Sequence, residues 1–194
     1  MKHKLIFATG NPHKVKEVNQ ILDGTMEVMS MREFGVQEEI PETSDTIEGN
    51  ALQKARYLVE HYKVDCFSED TGLEVEVLGG APGVHTARYG GASRSAEANM
   101  GRLLKELSGE MNRAAQFKTV IALIVDGKEY TFEGICKGSI LRSQRGEGGF
   151  GYDPVFQPLG YDKSFAELPY SEKNKISHRG KAMVQLISFL KSRG

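Results

Sequence analysis

No apolar run in this sequence approaches the roughly 20 residues that a membrane-spanning helix needs, so no membrane role is expected. Cysteine is scarce. Cys66 and Cys136 stand far apart in apolar surroundings, which gives no metal-ligand spacing and suits a reducing compartment. An excess of either charge is also missing: 25 basic side chains face 26 acidic ones, for a net charge of −1. That balance argues against a nucleic-acid polymer as main partner, because such binders carry a basic footprint. It leaves a nucleotide open, which needs only a local basic cluster. Repeats, low-complexity tracts and obvious linkers are absent, so one continuous domain over residues 1–194 is expected, although a lobed shape with a cleft is compatible. Lys2 to Lys4 are followed by only four apolar residues, which does not read as a signal peptide, and a cytoplasmic location is expected.

What is present reads as a soluble α/β protein. Lys4 to Ala8 forms a short buried strand that runs into Thr9-Gly-Asn-Pro-His-Lys14, and a helix follows with Val15, Val18, Ile21 and Leu22 on one face. Met26 to Met29 is a second strand. Residues 35–45 are loop. A long helix fits Ile47, Ala51, Ala55, Leu58, Val59 and Tyr62. Val64 to Ser68 reads as a strand ending at Glu69-Asp70-Thr71-Gly72, and Leu73 to Leu78 as another with one exposed face. Ser95 is an N-cap for a helix that buries Met100, Leu103, Leu104 and Leu107. Asp126-Gly127 between two strand-like runs is a hairpin signal. The chain closes with a helix that buries Met183, Leu186, Ile187 and Leu190. The expected fold is a mixed sheet with helices around it.

Four constellations carry chemistry, each beside a blander reading. Glu147 to Phe156 sets glycines, Phe150 and a Tyr152-Asp153-Pro154 run side by side. Glycine inside a helix costs about 1 kcal/mol, so such a concentration implies close approach of backbone to a ligand. An aromatic and an acid there suit a nucleobase; the alternative is a tight loop around a buried Phe150. Gly146, Gly148 and Gly151 match Gly-x-Gly-x-x-Gly literally, but the strand before and helix after that a dinucleotide site needs are missing. Thr9 to Lys14 joins a strand to a helix, where backbone N–H groups and Lys14 attract anions; the alternative is an ordinary connection, and the Walker A spacing is absent. Glu69-Asp70-Thr71-Gly72, with Glu42 nearby in kind, suits Mg²⁺, which prefers carboxylates and water; turn chemistry is the alternative. Lys173, Lys175, His178 and Arg179 crowd the approach to the last helix and can donate to oxygens, or form a solvated helix start. Lys54 and Arg56 read as solvated helix charges.

Taken together these segments resemble the inosine-triphosphate pyrophosphatases, the non-canonical purine nucleoside triphosphate diphosphatases. The resemblance covers nearly the whole chain. It runs in order through Thr9 to Lys14, Gly49 to Arg56, Glu69 to Leu73, Gly79 to Gly83 with Ala87 to Tyr89, Gly148 to Pro154, and Lys173 with Ser177 to Gly180. It implies a long, curved mixed sheet flanked by helices, with two lobes and a central cleft. It implies a homodimer, Mg²⁺ dependence, and hydrolysis of inosine, deoxyinosine and xanthosine triphosphates to the monophosphate and pyrophosphate. Thr9, Gly10, Asn11, Pro12, His13 and Lys14 would hold phosphates. Glu42 and Asp70 would sit at the metal, Asp70 as base for the attacking water, with Glu69 assisting. Thr71 would touch substrate. Phe150 would stack on the base beside Gly151, Tyr152 and Asp153, and Lys173, His178 and Arg179 would complete the contacts. His85-Thr86 departs from the aromatic and serine expected there.

The implied specificity has a physical basis. A 6-keto purine offers an acceptor at position 6 and a proton on N1; adenine offers a donor and no proton. A cation such as Arg179 near position 6, with an acceptor near N1, would therefore reject adenine. Three rivals predict other outcomes, and the glycine-rich segment argues against the first of them, a purely structural interaction domain. A relative that clears modified pyrimidine triphosphates should lack the Phe150 and His178-Arg179 segments, and a nucleotide-binding module without catalysis leaves Glu42, Glu69 and Asp70 without a reason to cluster.

Overall fold

The computed structural model describes residues 5–22 and 28–193. Strand β1 (Leu5–Phe7) pairs in parallel with β2 (Val28–Ser30) and with β3 (Cys66–Val75). Among the described residues seven strands form one mixed sheet, six of them in the order β2-β1-β3-β5-β6-β7, where β5 is Ala114–Val125, β6 is Lys128–Ile140 and β7 is Phe156–Pro158. The short β4 (Pro82–Gly83) pairs antiparallel with β3, and β7 does so with β6. Helices α1 (Pro12–Leu22), α2 (Met31–Phe34), α3 (Ile47–Tyr62), α4 (Ala96–Glu106), α5 (Tyr170–Ile176) and α6 (His178–Arg193) complete the α/β fold. No described helix is long and apolar enough to cross a membrane.

Local chemistry sets the helix ends. Pro12 opens α1, where its missing N–H costs nothing, and the Asn11 side chain accepts from the N–H groups of His13 and Lys14 at 2.9 and 3.4 Å. Thr46 and Ser95 cap α3 and α4 by accepting from Gly49 and Ala98. Helix α3 buries Ile47, Asn50, Ala51, Lys54, Ala55 and Leu58, a stripe at helical spacing that includes one lysine.

The chain divides into two compact units. The first comprises Met1–Asp70, Thr119–Gly134 and Arg179–Gly194. Its core joins Leu5, Phe7, Val18, Phe67, Ile121, Leu123, Met183 and Leu186, with Phe7 stacked on Phe67 at 4.5 Å. The second comprises Thr71–Lys118 and Ile135–His178. Its core gathers Leu73, Met100, Leu103, Phe117, Val155, Phe156 and Phe165.

Three expectations change. The strand expected to stop at Glu69 continues through Glu69-Asp70-Thr71-Gly72 to Val75, so the acids lie within β3 rather than at a strand end. Two features permit this: Leu73 and Glu74 pair with β4, and the buried Glu69 is neutralised by cations described below. Glu76–Leu78 is a single 3-10 turn, not the end of a strand. The last polar stretch folds as its own short helix, α5, before α6. Ser95, the Asp126-Gly127 connection and the span of α3 agree with the sequence reading. Lys4 of the first expected strand, and Met26 and Glu27 of the second, lie outside the described residues; Val28 and Met29 fall in β2.

Candidate functional site

The first unit holds two sets of charges, one on each face of β3. Lys54, on the buried stripe of α3 and only 7% exposed, donates to Glu42 Oε1 at 2.5 Å and to Asp70 Oδ1 at 3.2 Å. Burial alone would push the lysine pKa down, but Asp70 and then Glu42 outweigh it and raise it above the ordinary value, so Lys54 stays charged. One ammonium therefore holds two carboxylates together, one exposed on the 35–45 loop and one inside β3.

On the other face of β3, where Glu69 points because successive strand side chains alternate, lies a buried chain of alternating charge. Arg179, 1% exposed at the start of α6, donates from Nε and Nη2 to the two oxygens of Glu69, both at 2.7 Å, and from Nη1 to Glu17 of α1. Lys14 reaches Glu69 Oε1 at 3.0 Å. Burial would raise the Glu69 pKa, yet Arg179 and then Lys14 hold the carboxyl far below the usual carboxylate range. The same carboxylates raise the Arg179 pKa against the opposing effect of burial. A buried bidentate pair of this kind fixes geometry more than it stabilises the fold.

The loop Thr9 to Lys14 packs next to this chain. Thr9 Oγ1 accepts from the Asn11 N–H at 3.2 Å, which curls the loop into α1. Gly10, Pro12 and His13 are exposed, and Asn11 and Lys14 are half-buried. The Arg32 guanidinium from α2 lies alongside Gly10. Two cations thus stand at the loop, Lys14 and the Arg32 of α2, of which the sequence reading identified only the first.

The second unit builds an aromatic-and-lysine cluster. Asp153 Oδ2 accepts from the backbone N–H of Phe150 at 2.8 Å and from Lys173 Nζ at 2.7 Å. Lys173, on α5 and 2% exposed, stands 5.2 Å from the centre of the Phe150 ring and 5.5 Å from that of Phe165. Phe150 itself is half-buried, which leaves the tight-loop alternative without its buried aromatic. The His178 ring stacks on Phe117 at 4.6 Å. Tyr152 is buried, and its hydroxyl donates to the Thr86 carbonyl at 2.7 Å. Gly151 and Thr71 are half-buried.

Gly149 is required by this arrangement. Its φ is +72°, and a Cβ there would stand 2.1 Å from Asp153 Oδ2. Gly149→Ala is expected to displace that carboxylate, release Lys173 and Phe150, and raise KM for a purine triphosphate by about 10–100-fold. Steady-state kinetics checks this, and an unchanged KM would remove the Asp153 cap from substrate binding.

The structure thus brings Glu42 and Asp70 together through Lys54 on one face of β3, and Lys14, Glu69 and Arg179 together on the other, both in the first unit; Phe150, Tyr152, Asp153 and Lys173 lie in the second. Arg179, expected at the base edge, has its guanidinium engaged by Glu69 and Glu17. Lys54 and Glu17 were missed. The signal for Lys54 was present: it stands three residues after Ala51 and four before Leu58, on the buried stripe. Arg56 is the exposed helix charge it was read as, paired with Glu129.

Fold and site together define a class. Residues 5–189 match the Ham1 family, and the chain belongs to it. Its relatives carry particular names. It is 51% identical over 187 residues to the dITP/XTP pyrophosphatase of Flavobacterium johnsoniae, across 96% of this chain and 97% of that one. It is 53% identical over 188 residues to the dITP/XTP pyrophosphatase of Porphyromonas gingivalis, across 96% and 97%. The solved structure of the Staphylococcus aureus Ham1 protein superposes with a TM-score of 0.89 at 34% identity, covering 98% of this chain and all of that one, at 100%.

Proposed function

We propose that this protein hydrolyses inosine, deoxyinosine and xanthosine triphosphates to the nucleoside monophosphate and pyrophosphate, and so clears non-canonical purines from the nucleotide pool. The observation that carries the reading is the Glu42–Lys54–Asp70 cluster, because it joins an acceptor for a water proton to charge that a polyphosphate can use. Family membership, and relatives named dITP/XTP pyrophosphatase at about half identity over nearly the full length, support the same substrate class.

Asp70 is assigned as the base for the attacking water. Glu69 is a poor candidate, since a carboxylate held so far below its ordinary pKa by Arg179 and Lys14 has little affinity for a proton. Glu69 instead orients Lys14, which with Arg32 and the loop Thr9, Gly10, Asn11, Pro12 and His13 receives the phosphates. Thr71 contacts substrate from β3. Phe150 stacks on the base, with Gly151, Tyr152 and His178 shaping its surroundings. Lys173 donates toward a 6-keto oxygen, and Asp153 holds that ammonium in place. An adenine amino group would meet a donor with a donor, and this mismatch supports the rejection of adenosine triphosphate.

The family resemblance implies Mg²⁺. Among the described residues no group of three His, Cys, Asp or Glu is placed to cage a metal. Mg²⁺ is ordinarily held by one or two carboxylates, with waters and substrate phosphates completing its shell. Glu42 and Asp70, gathered by one ammonium, form such a pair, so the donor set fits. When bound, the ion would offset charge on the phosphate oxygens. The proposal includes a homodimer and a cytoplasmic location, with no nucleic-acid polymer or membrane as partner.

Product analysis with Mg²⁺ and a panel of inosine, deoxyinosine, xanthosine, adenosine, guanosine and thymidine triphosphates tests the reading. Pyrophosphate, mainly from the inosine and xanthosine substrates, is the expected result. Free phosphate, a thymidine preference, or absence of turnover would overturn it.

A further inference from the structure

We propose that Thr86 is a positioning residue: it ties the base-reading segment 150–153 to β3 just downstream of Asp70, and base discrimination depends on that tie. The inference rests on the function proposed above. Thr86 lies outside the catalytic and binding residues, in a 3-10 turn after β4.

Three hydrogen bonds meet on this one residue. The Leu73 N–H donates to Thr86 Oγ1 at 2.8 Å, and Thr86 Oγ1 donates to the Gly83 carbonyl at 2.6 Å. The Tyr152 hydroxyl donates to the Thr86 carbonyl at 2.7 Å. The threonine hydroxyl is therefore committed as donor and acceptor together, between two residues that are register partners in the β3–β4 pair. Burial keeps the Tyr152 phenol protonated, so it donates throughout the working pH range. The turn is held from its other side by Asn99 of α4, which accepts from the Gly90 N–H and donates to the Ala87 carbonyl.

The path is short and each link is directional. Leu73 stands three residues after Asp70 on a continuous strand. Tyr152 stands between Phe150 and Asp153, the residues that present the ring and hold Lys173. Thr86 is the point at which these two stretches are registered to one another. Its hydroxyl also accounts for the departure noted in the sequence: a serine here would make the same two bonds, whereas no apolar residue would.

Thr86→Val keeps the shape and removes both hydroxyl bonds, leaving the Leu73 N–H and Gly83 carbonyl without that partner. It is expected to lower kcat/KM for inosine triphosphate by about 10–100-fold, the scale of a small misplacement of reacting groups, and to shrink the inosine-to-adenosine ratio of kcat/KM. Thr86→Ser should stay within about twofold of the unmodified protein, the scale of a substitution that removes no feature of this kind. Tyr152→Phe should shift the ratio in the same direction, and the double variant should fall short of the product of the singles, since both cut one connection. Variants that keep the ratio and lose only thermal stability would reduce Thr86 to a structural residue and overturn the inference. So would failure of serine to restore the ratio. If Thr86→Val does not fold, Thr86→Ala, which also removes both hydroxyl bonds, takes its place. An unmodified protein with no preference for inosine triphosphate would refute the proposed function and this inference with it. A clear preference that the variants leave untouched would refute this inference alone.

Discussion

Asp70→Asn is expected to lower kcat for inosine triphosphate by about 10²–10⁴-fold, the span that a positioned general base contributes. The fold should survive. Asparagine keeps an oxygen for Lys54, which retains Glu42 as its counter-ion at 2.5 Å. The substitution therefore removes a proton acceptor more than a packing element. Circular dichroism and the thermal midpoint separate these effects, because a catalytic loss comes with an unchanged far-UV spectrum. Full turnover in this variant would take Asp70 out of the mechanism. The parallel substitution Glu69→Gln should act differently, through Lys14 and Arg179, and should raise KM along with any loss in kcat.

The second large effect is on stability. Arg179→Met leaves Glu17 and Glu69 buried without their shared cation. Breaking a buried pair in this way costs about 3–5 kcal/mol, to be read from urea unfolding at neutral pH. The pH dependence has a definite sign. In the intact protein Glu69 is held well below its ordinary value of 4.5, so its contribution to stability is complete above that value and is lost as pH falls toward the depressed folded-state value. In the variant Glu69 keeps Lys14 but loses the Arg179 part of that depression, so less stability remains to be lost as acid protonates it. The stability gap between the two proteins should therefore narrow on going from pH 5 to pH 3. An equal gap at both values would mean that the loss is one of packing, not of charge.

Much of this was legible locally, and the exceptions share one cause. The cap at Ser95, the Asp126-Gly127 connection and the stripe on α3 are written in residues a few positions apart. The Phe150 to Asp153 segment announced itself by its glycines together with an aromatic and an acid. Lys54, Glu17 and the burial of Arg179 were not legible because their partners are remote: Arg179 meets Glu69 across 110 residues and Glu17 across 162. A lysine or glutamate on a helix reads as solvated until the opposite charge is known to arrive. The continuation of β3 through two acids was hidden for the same reason. An acid inside a strand is unfavourable in isolation and becomes tolerable only when cations from α1 and α6 neutralise it.

The division into two units has a consequence for how the chain is made. The polypeptide passes from one unit to the other after Asp70, Lys118, Gly134 and His178, and none of these points is a loop: three lie inside β3, β5 and β6, and the fourth in the first turn of α6. Neither unit can be excised as a contiguous piece of sequence. The first also waits for its closing segment until Arg179–Gly194 leaves the ribosome, so its native contacts include pairings across most of the chain. Folding of such a topology is governed by late, long-range closure rather than by local helix formation. A nascent chain arrested before Arg179 would hold Glu17 and Glu69 with their common cation still unmade.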